Sequence, residues 1–205
     1  MAINHLYSIP LGKYKLPKFE KIRKKLIPIL EDDYYEADDK NRKDNDWQCN
    51  SYQTWLWGNG QEQLAESLYP FIDDYLIQLG FEGFSYQLES WFNIYGKQQY
   101  QEKHNHGTTL LSGMVVLNYD PAQHTPLKFY NPWQLYSTTF QMFDLKASMN
   151  FIATTYPIEM ENGYMYIWPS SLEHIVPPQP NKLRDLRITY TFNVLPDHKW
   201  NSVTK

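Results

Sequence analysis

The sequence predicts a mainly β protein with N-terminal helices, its β part folded as a sandwich, jelly roll or barrel. Three observations carry that expectation. Helical periodicity is confined to the first 80 or so of the 205 residues. From residue 84 onward, short aromatic and β-branched runs recur, separated by turn residues. Aromatic residues make up 17% of the chain, a composition that favours strands.

The first element is expected over residues 17–31. Phe19, Ile22, Leu26 and Leu30 recur there at helical spacing, and Pro28 is expected to kink or end the helix. The basic run Lys21–Arg23–Lys24–Lys25 reads as its solvated face. Residues 32–50 are acidic and polar and read as a long loop, which with its continuation to residue 60 is a candidate lid. Its oxygen-rich residues lack the spacing of an EF-hand calcium loop. Cys49, beside Trp47, reads as a packed side chain without a partner histidine. A second amphipathic helix is expected over 61–79, from Leu64, Leu68, Phe71 or Ile72, Tyr75 and Leu79, with Gly80 as its stop despite Pro70. The strands expected after it are Phe84–Tyr95, Leu110–Tyr119, Pro126–Tyr130, Leu135–Phe143, Asn150–Thr155, Gly163–Trp168 and Leu186–Leu195. Residues 1–83 are therefore expected to form a helical and loop segment packing on a β core of residues 84–205, together one structural domain.

Composition excludes several classes. A net charge of −4 argues against a nonspecific nucleic-acid binder. No apolar run approaches the length of a membrane span, and no secretory leader is expected from the first residues. A lone cysteine fits a cytoplasmic setting. GxSxG and Walker A motifs are absent, and the GNGQEQ of residues 58–63 has Gln63 where a dinucleotide loop needs its third glycine.

The histidines carry more. His104 and His106 are two apart, so on a strand both face one side and can converge on a metal. His174 follows the expected strand Gly163–Trp168 and offers a third imidazole, a ligand suited to iron, zinc, copper or nickel. Thirteen residues later, Arg187 and Thr189 share one face of the last strand. A guanidinium beside a hydroxyl makes a socket for a small carboxylate, because the guanidinium donates two parallel hydrogen bonds. His5, His124 and His198 read as solvated or loop residues.

The order HxH, distal His, Arg-x-Thr resembles that of the 2-oxoglutarate and Fe(II)-dependent oxygenases, in particular a small prolyl-hydroxylase-like subgroup of bacteria and tailed phages. The matching stretches are Trp91-Phe-Asn93, Gln101 through His106, Leu111-Ser112-Gly113, Leu127 through Pro132, Trp168-Pro169-Ser170 through His174-Ile-Val176-Pro177, and Arg187 through Asn193. They cover about half of the chain. The resemblance implies a double-stranded β-helix, a cupin-like jelly roll, as the core. It implies His104 and His174 as iron ligands, with Arg187 and Thr189 anchoring 2-oxoglutarate and Ser112 facing the cosubstrate pocket. Arg184 is the rival anchor. Aromatic residues including Trp91, Tyr95 and Trp168 are candidates to line the site or simply to pack the core. The implied cofactors are Fe(II), 2-oxoglutarate and O2, and the implied reaction is hydroxylation of a peptidyl residue such as proline, or of a small molecule, with release of succinate and CO2.

One position departs from the family pattern, which has a carboxylate two residues after the first histidine where this chain has His106. Either His106 ligates, completing a set of His104, His106 and His174; or His106 is the first histidine, Thr108 takes the carboxylate's place and water completes the site; or Glu102, two before His104, supplies an oxygen. Two rival classes stand beside the oxygenase: a cupin-type three-histidine metalloenzyme, which the residues after His106 disfavour by lacking the expected Glu, and a noncatalytic β-sandwich such as a phage structural or binding module. The sequence leaves oligomeric state open, a homo-oligomer included.

Overall fold

The computed structural model describes residues 8–37, 50–81, 83, 85–133 and 153–197. The element order is β1 (Gly12–Lys15), α1 (Phe19–Glu36), β2 (Tyr52–Thr54), α2 (Gln61–Glu66), α3 (Tyr69–Gln78), β3 (Tyr86–Tyr95), β4 (Gln101–His104), β5 (Leu111–Asn118), β6 (Lys128–Tyr130), β7 (Thr155–Pro157), β8 (Tyr164–Pro169), β9 (His174–Val176) and β10 (Arg187–Pro196). No helix among the described residues is long and apolar enough to cross a membrane. The expected strand Leu135–Phe143, the start of the expected strand at Asn150, Cys49, His5 and His198 lie outside the described residues.

Two helix expectations need correction. α1 does not stop at Pro28 but runs on to Glu36, so residues 32–36 are helix and not loop. Pro28 lies on the solvent face, so the carbonyl of Lys24 that loses its amide partner is open to water. Leu26 and Leu30 meanwhile bury completely on the other face and hold the helix on either side of the proline. The expected helix 61–79 is two helices. Pro70 sits in the first turn of α3, where its missing N–H costs nothing, and the chain turns at Ser67 and Leu68 before it. Gly80 ends α3 in the left-handed conformation (φ +85°), and the next amide, of Phe81, reaches back to the Leu76 carbonyl. Nor is the basic run of α1 wholly solvated: Arg23 donates to the Leu117 carbonyl and to Asn118 Oδ1, tying the helix to β5.

The strands form two antiparallel sheets, one of six strands in the order β1-β8-β5-β10-β3-β2 and one of four in the order β4-β9-β6-β7. The larger sheet is covered on both faces. Its outer face carries Phe92, Ile94, Val115, Leu117, Ile167, Ile188, Tyr190, Phe192 and Val194 against Leu26 and Leu30 of α1 and Leu64, Leu68 and Ile72 of the α2–α3 segment. Its inner face carries Tyr95, Met114, Val116, Tyr166 and Trp168, packed on Leu127, Phe129, Leu172 and Val176 from the smaller sheet and its loops. Burial on both faces explains why β5 reads as a continuous apolar run, not an alternating one. The fold is the jelly roll expected, and the space between its sheets is where the polar residues gather.

Gly113 marks the tightest point of the larger sheet. A Cβ there would lie 2.2 Å from Phe192 Cζ and 2.7 Å from the Tyr166 carbonyl oxygen. The ring has little room to move and the backbone less, so Gly113→Ala is expected to destabilise the fold by about 1–3 kcal/mol, read as a lowered urea midpoint. A midpoint equal to wild type would mean that β5 and β10 are not packed as described.

Candidate metal centre

β4 and β9 are neighbours in the smaller sheet, and His104 at the end of β4 is the register partner of His174 at the start of β9. A register shift between Gln101 and His104 adds one residue to β4. The bulge breaks the two-residue alternation, so Gln101 and His104, three apart, both line the space between the sheets while Glu102 is exposed. The sequence expectation that Glu102 shares the face of His104 fails for that reason, and Glu102 is not part of the histidine cluster.

His106 lies beyond the strand's end and is positioned by its backbone. Its N–H donates to the Ser170 carbonyl (2.9 Å), and its carbonyl accepts from the amide and hydroxyl of Thr109. That turn brings the ring to His104 and His174, with centroid separations of 5.1 and 5.3 Å and 4.3 Å between the latter two. One nitrogen from each ring lies within 4.8 Å of the others. Thr108 is exposed.

The rings are prepared as ligands. Nδ1 of His104 lies 2.7 Å from the Glu102 carbonyl, and Nδ1 of His174 lies 2.9 Å from the Leu172 carbonyl. A carbonyl only accepts, so each Nδ1 carries the proton and each Nε2 keeps its lone pair. Burial is the main force holding all three rings neutral. It lowers His104, takes His106 with help from His104 down to about 4, and pushes His174, also beside His104, well below its usual value.

The cavity holding these rings continues between the sheets to Arg187 and Thr189. Its volume is about 30 Å³. Arg187 has no exposed surface. Its guanidinium sits 4.6 Å from the Tyr95 ring centroid, and Nη2 reaches Met160 Sδ at 3.7 Å. Nε and Nη1 are buried without any acceptor, and no carboxylate pairs with the side chain among the described residues. Burial alone pulls its pKa down from the usual arginine value. Arg184 is the opposite case, exposed and paired with Asp120 at 3.3 Å.

The other expected residues fall as follows. Ser112 lies on the inner side of β5, but its hydroxyl donates to Asn193 Oδ1 (2.9 Å) and it does not line the cavity. His124 is buried and structural: it accepts the Asp120 amide at Nδ1 and donates from Nε2 to the Asp185 carbonyl. Trp91, Tyr95 and Trp168 line the cavity. Sequence reasoning singled out neither Asn93 nor Thr191 for the site, yet both line it, joined by a 2.8 Å hydrogen bond from Asn93 Nδ2 to Thr191 Oγ1. The signal was present in the period: Arg187, Thr189, Thr191 and Asn193 put polar groups on one side of a strand whose other side is Ile188, Tyr190, Phe192 and Val194.

A family model of 2OG-Fe(II) oxygenases matches residues 89–193, which include every residue just placed around the cavity. No curated protein matches the chain. Among solved structures, a prolyl-4-hydroxylase of Pseudomonas putida superposes with a TM-score of 0.62 at 13% identity, covering 93% of this chain and 94% of that one. A prolyl hydroxylase of Trichoplax adhaerens, in complex with a hypoxia inducible factor peptide fragment, gives 0.58 at 10%, covering 95% and 87%. The viral collagen prolyl hydroxylase of Paramecium bursaria Chlorella virus-1, in its 2OG complex, gives 0.54 at 14%, covering 90% and 94%. At these identities the likeness is one of fold, and it is the double-stranded β-helix.

The neutral rings set a pH dependence. Above pH 6.5 neither folded nor unfolded chain protonates these histidines, and their contribution to stability is complete. Between 6.5 and about 4 the unfolded chain takes up protons that folded His106 refuses, so stability falls with pH across that window. In metal-free protein, urea unfolding is expected to show this loss, and His106→Gln is expected to make it shallower. An identical slope in the variant would count against a buried, neutral His106.

Proposed function

The chain belongs to the 2OG-Fe(II) oxygenases, whose cofactors are Fe(II), 2-oxoglutarate and O2, and on that premise we propose that it is a 2-oxoglutarate-dependent hydroxylase. In this reading His104, His106 and His174 hold the iron, and Arg187 with Thr189 receives the far carboxylate of 2-oxoglutarate. The observation that carries it is the buried Arg187 guanidinium, unpaired by any anion among the described residues, in the same cavity as three clustered imidazoles, of which His104 and His174 present their Nε2 lone pairs. A cation without exposed surface needs an anion, and the cavity supplies none among the described residues. A dicarboxylate anchored there points its other end toward the histidines.

The donor set fits a ferrous ion, since imidazole nitrogen suits iron and the three rings leave the remaining positions to exogenous ligands. When bound, iron and 2-oxoglutarate would supply, with O2 as the oxidant, oxidative decarboxylation to succinate and CO2, one oxygen atom of O2 entering succinate and the other the new hydroxyl of the substrate. The chain's own part is to bind, orient and shield. The carbonyls of Glu102 and Leu172 fix the tautomers of His104 and His174. Tyr95 packs its ring on Arg187 and keeps the guanidinium in place. Ser112, spent on Asn193, supports β10 from beside the cradle and takes no part in it.

A peptide substrate with a hydroxylatable side chain such as proline is favoured. An open groove is bordered by Tyr130, Pro132 and Leu172 and by Asn105 and Glu173, the chain neighbours of the histidines, and prolyl hydroxylases share the fold.

Anaerobic titration of metal-free protein with Fe(II) and then 2-oxoglutarate tests the reading through the visible metal-to-ligand charge-transfer band. Arg187→Met is expected to keep the metal but weaken 2-oxoglutarate about tenfold to hundredfold, the worth of one or two charge-assisted hydrogen bonds. Arg184→Ala is expected to bind as wild type does. No band in folded wild-type protein overturns the proposal.

A further inference from the structure

Among the described side chains around this cavity, buried donors without a partner outnumber buried acceptors without one. Besides Arg187 Nε and Nη1, the indole Nε1 groups of Trp91 and Trp168 are buried and have no acceptor. Both indoles line the cavity at its histidine end, Trp91 with its ring centroid 6.4 Å from that of His106 and Trp168 at 5.3 Å from that of His174. Among the described residues, the one orphaned side-chain acceptor there is Asn93 Oδ1. A 2-oxoglutarate carboxylate at Arg187 satisfies the guanidinium, but Arg187 lies at the other end from these indoles.

The charges point the same way. Three imidazoles bring no charge to a ferrous ion, whereas a set with one carboxylate would bring one negative charge. Ferrous iron carries two positive charges and Arg187 one, and 2-oxoglutarate carries two negative ones, so the loaded cavity keeps one uncompensated positive charge. No side chain lining it is acidic. Outside its lining, Glu173 is 2.8 Å from Lys103, and Glu102 is turned to solvent by the bulge in β4. A positive charge kept away from water attracts an anion strongly.

Resting on the proposed function, we infer that the histidine end of the cavity takes a second anion besides 2-oxoglutarate, a monoanion whose oxygens accept from the indole N–H groups of Trp91 and Trp168. The class is a carboxylate or a like-sized oxyanion, borne either by the organic substrate or by a free small ion. His106 is the specificity-determining residue, because a carboxylate at its position would supply that negative charge from the protein itself.

The test uses protein loaded with Zn(II) and saturated with 2-oxoglutarate, with formate as the probe. The readout is the 15N-indole resonances, those of Trp91 and Trp168 being assigned by single Trp→Phe variants. Formate is expected to shift both resonances saturably, in wild type and in His106→Asn. His106→Asp, which differs from the Asn variant by one negative charge, is expected to bind formate at least about tenfold more weakly. A longer monocarboxylate such as hexanoate binding tighter than formate would identify a substrate-borne carboxylate as the natural occupant; formate binding tighter would identify a free ion. Zn(II) and 2-oxoglutarate uptake, followed in the same samples by calorimetry, keeps the two proposals apart. Failure of uptake would sink the oxygenase reading itself. Uptake without indole shifts, or equal formate affinity in the Asp and Asn variants, would overturn the second-anion inference alone.

Discussion

Arg187 is a cation with no solvent exposure and, among the described residues, no anionic partner. Taking such a group out of water costs several kcal/mol even after the surroundings relax. The neighbours offset part of this, through the face of Tyr95 and the polarisable sulfur of Met160. The rest is borne by the scaffold. Arg187 opens β10, which pairs along its length with β3 on one side and β5 on the other. Arg187 is itself the register partner of Tyr95, and the residues that follow it are paired on both sides, which fixes the strand that carries the guanidinium.

That scaffold is why a small β core carries helices ahead of it. The face of β10 opposite Arg187, Thr189 and Thr191 is wholly apolar and must be covered if the strand is to be rigid. α1 and the α2–α3 segment cover it, with Leu26, Leu30, Leu64, Leu68 and Ile72 fully buried against the sheet. The burial of these side chains, about 1.5–3 kcal/mol each, is of the size needed to tolerate a polar and partly unsatisfied interior on the other face. The polar cavity and the apolar core that covers it therefore lie on opposite faces of the same strands.

Much of this was legible in the sequence. The long strands show period-two or continuous apolar runs because they are central and buried, and His104, His106, His174, Arg187 and Thr189 stand out by residue type and spacing. β1 and β2 went unseen because they lie at the two edges of the larger sheet, where a strand as short and polar as Gly12–Lys15 or Tyr52–Thr54 needs little apolar character. Pro28 misled because a proline's effect depends on which face it occupies, a fact that tertiary packing decides. Glu102 misled because the bulge in β4 comes from pairing with β9, and pairing register does not show in a single strand's residues. Asn93 and Thr191 were missed because a polar residue facing inward looks like one facing solvent until both faces of the sheet are known to be covered.

The manner in which His106 is held has a consequence for how such a centre changes over time. His104 and His174 are fixed by strand pairing and by ring hydrogen bonds to carbonyls, so each is bound to its place by its own side-chain chemistry. His106 is held by main-chain atoms, its amide on Ser170 and its carbonyl on Thr109, and every residue type but proline presents those same two groups. The third corner of the cluster is thus an interchangeable socket: its address is written in the backbone and its occupant is free to vary. A lineage can exchange the donor there in one mutational step, and with it the charge of the centre, while leaving the other two histidines, the sheets and the buried guanidinium where they are.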